Sequence, residues 1–326
     1  MPTRENDPTI LSIITAVYLG FDDTTELAQE AAFLRELAES YLAFDQALNK
    51  ASAGQLHCEW LLCVDNTEPQ ASAWQQGDLA EVKTCAQRIL YTGKAHSGAA
   101  LGRDLCFAEA RGAWLLPIDG DDHLALRDAS IAKLAQVLRD ERYQEYGYIG
   151  CSQELYYRED ETYRLCKGFQ SDVACGAVED IKLKAKSKDL ARAWGDLGAV
   201  PFHSGNALWN CAKLFDYAGE APWDPATTSE NTVLLLEYST QTNGLFAPLL
   251  TTKEYRCGHA STTTATSYLA GQDDEQAALA ARIGVGYTEL PRFDGAAITK
   301  VPLEIIEADP AGQAALAKLR NWAATA

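Results

Sequence analysis

Apolar runs and amphipathic stretches alternate through roughly the first 150 residues. Leu11–Val17 is a continuous run rich in β-branched residues and stops at Tyr18-Leu-Gly-Phe-Asp-Asp. That is the pattern of a strand covered on both faces. From Thr24 or Thr25, each a suitable N-cap, the stripe Leu27, Ala31, Leu34, Leu37, Leu42 and Phe44 predicts a helix to about Lys50. Glu59–Asp65 reads as the second strand, followed by a polar loop carrying a tryptophan and by Gln87–Tyr91 as the third. Gly98–Arg111 is helical, and Ala113–Ile118 is a fourth buried strand that ends at Asp119. Repeated passage between strand and helix predicts a doubly wound parallel sheet, with ligands at the carboxyl ends of its strands. The loops after Val17, Val64 and Ile118 are therefore the expected site.

The second half is less regular. Tyr148–Tyr157 and Thr162–Cys166 resemble paired strands, and Asn231–Thr240 is helical. Tyr255–His259 is expected in a loop after a short strand, and Asp273–Arg282 and Ala311–Ala324 as helices. The basic run Asp180–Lys188 reads as a solvated face.

Charge narrows the partners. With 28 Lys and Arg against 46 Asp and Glu the net charge is −18, which repels nucleic acid and anionic membrane surfaces. An anionic ligand would need a local cation, and a bound metal ion is the natural one. The best apolar run, Ile10–Val17, falls far short of the roughly 20 residues of a membrane span. Met1–Asp7 lacks the basic start of a signal peptide, so a soluble cytoplasmic protein is expected. Nine cysteines without a CxxC pair read as reduced, mostly buried thiols.

The chemistry concentrates in Asp119-Gly-Asp-Asp-His123, where a buried strand delivers three carboxylates around a glycine. Like charges packed together raise one another's energy unless a cation neutralises them. Hard oxygen donors at this spacing suit Mg²⁺ or Mn²⁺ with positions open for a diphosphate, although an acidic turn capping the next helix reads the same way. A haloacid-dehalogenase-type phosphatase opens on a similar signature, but its Asp follows the first strand and a Thr stands where this chain has His123.

Four motifs in order, over roughly residues 9–265, resemble the family 2 glycosyltransferases of the GT-A fold. Leu11–Tyr18 is similar to the family's opening strand, and Trp60–Thr67 to its strand ending in Asp-Asp-Gly-Ser. His96–Gly112 resembles the segment built around Ala-Arg-Asn, and Asp119-Gly-Asp121-Asp122 sits where the family carries its metal-binding Asp-x-Asp. The resemblance implies an α/β GT-A architecture: a Rossmann-like, mostly parallel sheet flanked by helices, a C-terminal acceptor-binding part and a helical tail. The expected divisions are a nucleotide-sugar-binding half over 1–125, an acceptor-binding half over 126–270 and a helical extension over 271–326.

The implied activity is a hexosyltransferase-type transfer, with inversion, from a UDP-, GDP- or dTDP-sugar to an acceptor hydroxyl on a saccharide or other molecule. By the same resemblance, the backbone around Thr15, Ala16 and Tyr18 and the Asp65 carboxylate hold base and ribose. Asp119 and Gly120 lie against the donor, and Asp121 and Asp122, with His259 of the Tyr-Arg-x-x-His stretch, are the metal side. Lys94 and Arg103 add cations to the pocket or are paired on the surface. The manganese or magnesium ion stabilises the leaving diphosphate.

Glu230-Asn231 stands where the family has Glu-Asp, the Asp acting as general base. An amide cannot take that proton, so Glu230 is the expected base, with Asp224 as an alternative. A non-catalytic nucleotide-sugar-binding protein of the same fold is the rival. Trp209 and Trp223 either stack on a sugar or pack in the core, and Trp194 and Asp196 fall in the segment assigned to the acceptor. A homo-oligomer is compatible with all of this.

Overall fold

The computed structural model describes residues 6–75, 78–159, 162–165, 179–192, 202–227, 230–257, 279 and 281–283. Its elements run β1 (Asp7–Val17), α1 (Thr24–Ala51), β2 (His57–Val64), α2 (Asp78–Cys85), β3 (Arg88–Tyr91), α3 (Ala99–Glu109), β4 (Gly112–Pro117), β5 (His123–Leu124) and α4 (Asp128–Arg139). They continue with β6 (Tyr148–Glu159), β7 (Thr162–Leu165), β8 (Ile181–Leu183), β9 (Ala207–Asn210), α5 (Cys211–Ala218), α6 (Glu230–Ser239) and β10 (Gly244–Cys257). The chain divides into two compact units, Met1–Gly147 with Gly205–Pro225, and Tyr148–Ser204 with Ala226–Ala326.

In the first unit the strand order is β3-β2-β1-β4-β9. β1 to β4 are mutually parallel and β9 is antiparallel to β4. Ile13 lies in register with Trp60 on one side and Leu116 on the other, and all three are buried. A strand hydrogen-bonded on both edges and covered on both faces needs the uninterrupted apolar run that the sequence carries. At the amino end, Glu59 Oε1 accepts from Ser12 Oγ at 2.5 Å and from Arg111 N at 2.6 Å. One buried carboxylate thus ties β2 to β1 and to the start of β4, at the end of the sheet away from the predicted site.

Helix α1 keeps the predicted span but not the whole predicted stripe. Ala31, Leu34, Leu37 and Phe44 are buried, joined by Ala38, Tyr41 and Leu48, whereas Leu42 is 45% exposed. Tyr41 takes the inward position, and its hydroxyl donates to Cys58 O at 3.1 Å. The polar tryptophan loop contains a short 3₁₀ turn, Ala73–Gln75, that buries Trp74, and then α2, which periodicity did not indicate.

In the second unit β6 and β10 are parallel, β7 is antiparallel to β6, and β8 is antiparallel to β10. The pairing of β6 with β7 agrees with the sequence reading. Lys182, Lys184 and Lys186 are exposed and alternate with buried Ile181, Leu183 and Ala185, as a solvated face requires. Tyr255 and Arg256 differ from expectation: they belong to the long strand β10 and not to a loop. Their polar side chains hid a strand whose carboxyl half buries polar groups.

Cys58, Cys63, Cys85, Cys106, Cys151 and Cys211 are thiols rather than disulfides, and all but Cys85 are buried. Among the described residues no helix is long and apolar enough to cross a membrane. The expected helix at Ala311–Ala324 lies outside the described residues, as does most of the one at Asp273–Arg282.

Candidate functional site

The carboxyl ends of β1, β2 and β4 meet in the first unit, where Asp65 N donates to Val17 O at 2.6 Å and Ile118 N to Ile14 O at 2.9 Å. Of the β1 residues assigned to the donor, Thr15 is fully buried and its hydroxyl accepts from Trp60 Nε1 at 3.0 Å, so that side chain serves the core. Ala16 and Tyr18 are half-buried. The Tyr18 ring stacks on His96 with centroids 4.4 Å apart and planes 26° from parallel.

Asp65 organises the loop that follows β3. Its Oδ1 accepts from Ser97 N at 2.8 Å and lies 2.8 Å from Thr92 Oγ1, while Oδ2 accepts from Gly98 N at 2.8 Å. The carboxylate therefore satisfies amides at the start of α3, where a negative charge is also stabilised by the positive end of the helix dipole. Gly98, the N-cap of α3, has φ +95°, a conformation that suits glycine. Lys94 in the same loop is exposed, and its carbonyl accepts from Ser97 Oγ at 3.0 Å.

From the next turns of α3, Arg103 reaches the end of β4: its Nη2 donates to Asp119 Oδ1 at 2.8 Å. Arg103 is buried while the Asp119 side chain is 37% exposed. The sequence's pocket cation and its first carboxylate are thus partners. Gly120 follows because a Cβ there would stand 2.4 Å from Val17 Cγ1; the acidic turn passes directly over the end of β1. The turn closes with Asp122 N donating to Asp119 O at 3.1 Å, leaving Asp121 half-buried and Asp122 buried. Among the described residues no three His, Cys, Asp or Glu side chains gather as a metal-binding group. The turn itself supplies hard carboxylate oxygens, a donor set suited to a divalent cation that takes its other ligands from phosphate and water.

Sequence reading missed Asp104. It sits beside Arg103, is buried, and accepts from Trp223 N at 3.0 Å. Burial pushes its carboxyl up to about 6, and the Trp223 amide only partly offsets that. The adjacent acidic and basic residues of Arg103-Asp104 were the one available signal. Trp223 is buried edge-on to Phe107 with centroids 6.2 Å apart, and Trp209 is fully buried in β9, so both tryptophans pack the core.

In the second unit, Glu230 and Asn231 open α6 and are half-buried, and Val233–Leu236 behind them are buried. Thr232 Oγ1 lies 2.7 Å from Ser204 Oγ, anchoring this first turn. His259, Trp194 and Asp196 lie outside the described residues.

No family model and no curated protein matches the chain. Among solved structures it is similar to S. aureus TarS 1-349 in complex with UDP, at 12% identity and a TM-score of 0.51 over 97% of this chain and 89% of that one. Against a longer TarS chain the identity is 11% and the TM-score 0.47, and this chain spans 36% of that length. The mannosyltransferase PcManGT from Pyrobaculum calidifontis, in complex with GDP-Man and Mn²⁺, gives 15% identity and a TM-score of 0.49 over 100% of this chain and 79% of that one. The TarS 1-349 likeness bears out the expected fold: mixed α/β, with a mostly parallel sheet flanked by helices.

Proposed function

We propose that this chain is a metal-assisted inverting glycosyltransferase of family 2 type, moving a hexosyl group from a nucleotide-diphosphate sugar to an acceptor hydroxyl. The observation that carries the reading is the acidic turn Asp119–Asp122 at the carboxyl end of β4, beside the Asp65-held start of α3, in a fold shared with a protein crystallised with UDP. Ligands in open α/β sheets bind at that end of the strands.

In this reading the half-buried Tyr18 and the backbone at Ala16 receive the base. Asp65 acts by holding the loop of Ser97 and Gly98 in shape rather than by offering a free carboxylate. Arg103 fixes Asp119 toward the ribose, and Asp121 and Asp122 are the residues that would hold Mn²⁺ or Mg²⁺. Such an ion, when bound, stabilises charge on the departing diphosphate. Glu230, in the first turn of α6, takes the proton of the attacking hydroxyl. The proposal keeps residues 1–125 as the nucleotide-sugar-binding half and 126–270 as the acceptor-binding half.

Isothermal titration with UDP-, GDP- and dTDP-sugars, with and without Mn²⁺, tests this. One donor should bind in a metal-dependent way that Asp121→Asn removes; binding of no nucleotide sugar under either condition would refute the proposal. Asn231 in place of a carboxylate favours a second reading, a nucleotide-sugar-binding protein without turnover. That reading requires donor binding without release of free nucleotide, whatever hydroxyl acceptor is supplied.

A further inference from the structure

Along β6 and β10 polarity changes at one level. On the amino side Ile149, Cys151, Leu245, Phe246 and Ala247 are buried core; beyond it Gln153 and Lys253 are buried as well, at 8% and 1% exposure. The ladder is irregular at the same level. Ala247 pairs with Cys151, but the next partner of β6, at Ser152, is Thr251, and Lys253 then pairs with Gln153. Ser152 Oγ donates to Pro248 O at 2.7 Å within the displaced stretch. Irregularities of this kind re-aim side chains and recur beside binding sites.

Gln153 and Lys253 are register partners and share a face, which Tyr255 joins two residues on. Lys253 Nζ stands 5.4 Å from the centre of the Tyr255 ring, and the exposed His203 ring lies 5.5 Å from it, tilted by 34°. The face therefore grades from a buried amide through a half-buried phenol to an exposed imidazole. Among the described residues nothing donates a hydrogen bond to Gln153 Oε1, which is buried. A buried acceptor left unmatched destabilises a fold, so its retention points to a donor that arrives with a ligand.

We propose that this face is the acceptor subsite and that the acceptor is a saccharide, its ring packing on Tyr255 and His203 while one hydroxyl donates to Gln153 Oε1. The inference rests on the glycosyltransferase reading. A sugar ring offers an apolar face and proton donors together, which suits an aromatic platform beside an amide. A lipid chain would leave Gln153 Oε1 unmatched, and an ionised phosphate has no proton to give it.

The test is saturation-transfer NMR on the full chain with UDP and Mn²⁺, using the methyl pyranosides of glucose, galactose and mannose and their 2-acetamido forms. The parent should bind at least one of them, and Gln153→Leu should weaken that binding about tenfold, the worth of one buried hydrogen bond. Thermal unfolding supplies a second readout: removing an unmatched buried acceptor should leave the Tm of Gln153→Leu equal or higher. His203→Ala, at an exposed position, should weaken the same pyranoside without unfolding the chain. The inference is overturned if no pyranoside binds, if Gln153→Leu binds as the parent does, or if its Tm falls. Nucleotide-sugar binding measured alongside separates the two proposals. Donor binding without pyranoside binding sinks only the acceptor subsite, whereas pyranoside binding without donor binding sinks the transferase reading alone.

Discussion

Arg103 and Asp119 are joined at 2.8 Å across the gap between α3 and the end of β4. Arg103 is buried and its partner only partly so, so water screens the pair from the Asp119 side and its worth is moderate. Arg103→Met and Asp119→Asn should each cost about 1–2 kcal/mol. The double variant should recover part of the summed loss, because the two side chains share one interaction. Urea unfolding of the four proteins measures the coupling; additivity within about 0.5 kcal/mol would show that the pair contributes nothing.

Asp65 makes a prediction of a different kind. Two backbone amides and a threonine hydroxyl converge on its carboxylate, and Asp65→Asn would turn an NH₂ group toward at least one of those donors. A loss of about 1–3 kcal/mol is expected. It should be local, seen as faster hydrogen exchange at Ser97 and Gly98 with little change in the amides of β1. Uniform acceleration across the sheet would instead assign Asp65 to global stability.

Legibility tracked how local the cause was. Leu11–Val17, Glu59–Asp65 and Ala113–Ile118 were readable as strands because full burial on both faces leaves a continuous apolar run. The expected position of the site follows from them through topology. The partners of Asp65 lie 27, 32 and 33 residues further along the chain, and no spacing rule connects them. Leu42 faces out because Tyr41 fills the inward position with a ring and a hydroxyl bonded to Cys58 O, a choice made by tertiary packing. Tyr255 and Arg256 read as loop because strand patterns assume a dry interior, whereas β10 keeps Thr251, Thr252, Lys253 and Arg256 buried.

Gly120 joins sequence pattern to site geometry. A methyl group added there meets Val17 Cγ1 at 2.4 Å, so Gly120→Ala must lift the acidic turn off β1. Overpacking of this size costs about 1–3 kcal/mol, and metal-dependent donor binding should fall with it. Val17→Ala in the same chain removes the colliding methyl and should restore part of both. Restoration of stability without binding would mean that the turn's position and its ligand role are separate.

Asp104 gives the chain a pH dependence of stability. Burial raises its folded-state pKa from an ordinary 3.8 to about 6, so between those values the folded chain holds a proton that the unfolded chain has lost. The associated stability is complete below about 4 and is lost as pH rises through about 6. One pH unit corresponds to about 1.4 kcal/mol, so the shift from 3.8 to about 6 bounds the effect at about 3 kcal/mol. Asp104→Asn keeps an acceptor for the Trp223 amide without the charge. It should therefore be more stable than the parent at pH 7.5, match it near pH 4, and lose the parent's slope between the two. Thermal unfolding at several pH values reads this directly, and an unchanged slope in the variant would move the titration to another group.

Glu230 bears the most direct test of the chemistry. It is half-buried in the first turn of α6, with Asn231 after it unable to accept a proton. Glu230→Gln keeps the shape and removes the proposed base, so on the transferase reading transfer to acceptor should fall by about 10²–10⁴-fold. Titrated affinity for the nucleotide sugar should stay within about threefold, since the donor's candidate contacts lie on β1, α3 and the Asp119–Asp122 turn. Asn231→Asp is the complementary change: it offers a second carboxylate and, in a Glu230→Gln background, should return part of the lost rate. If Glu230→Gln transfers sugar at the parental rate, the base lies elsewhere, and Asp224→Asn is the next variant to measure. If the parent releases no nucleotide with any acceptor and Asn231→Asp begins to, the natural chain binds its donor without turning it over.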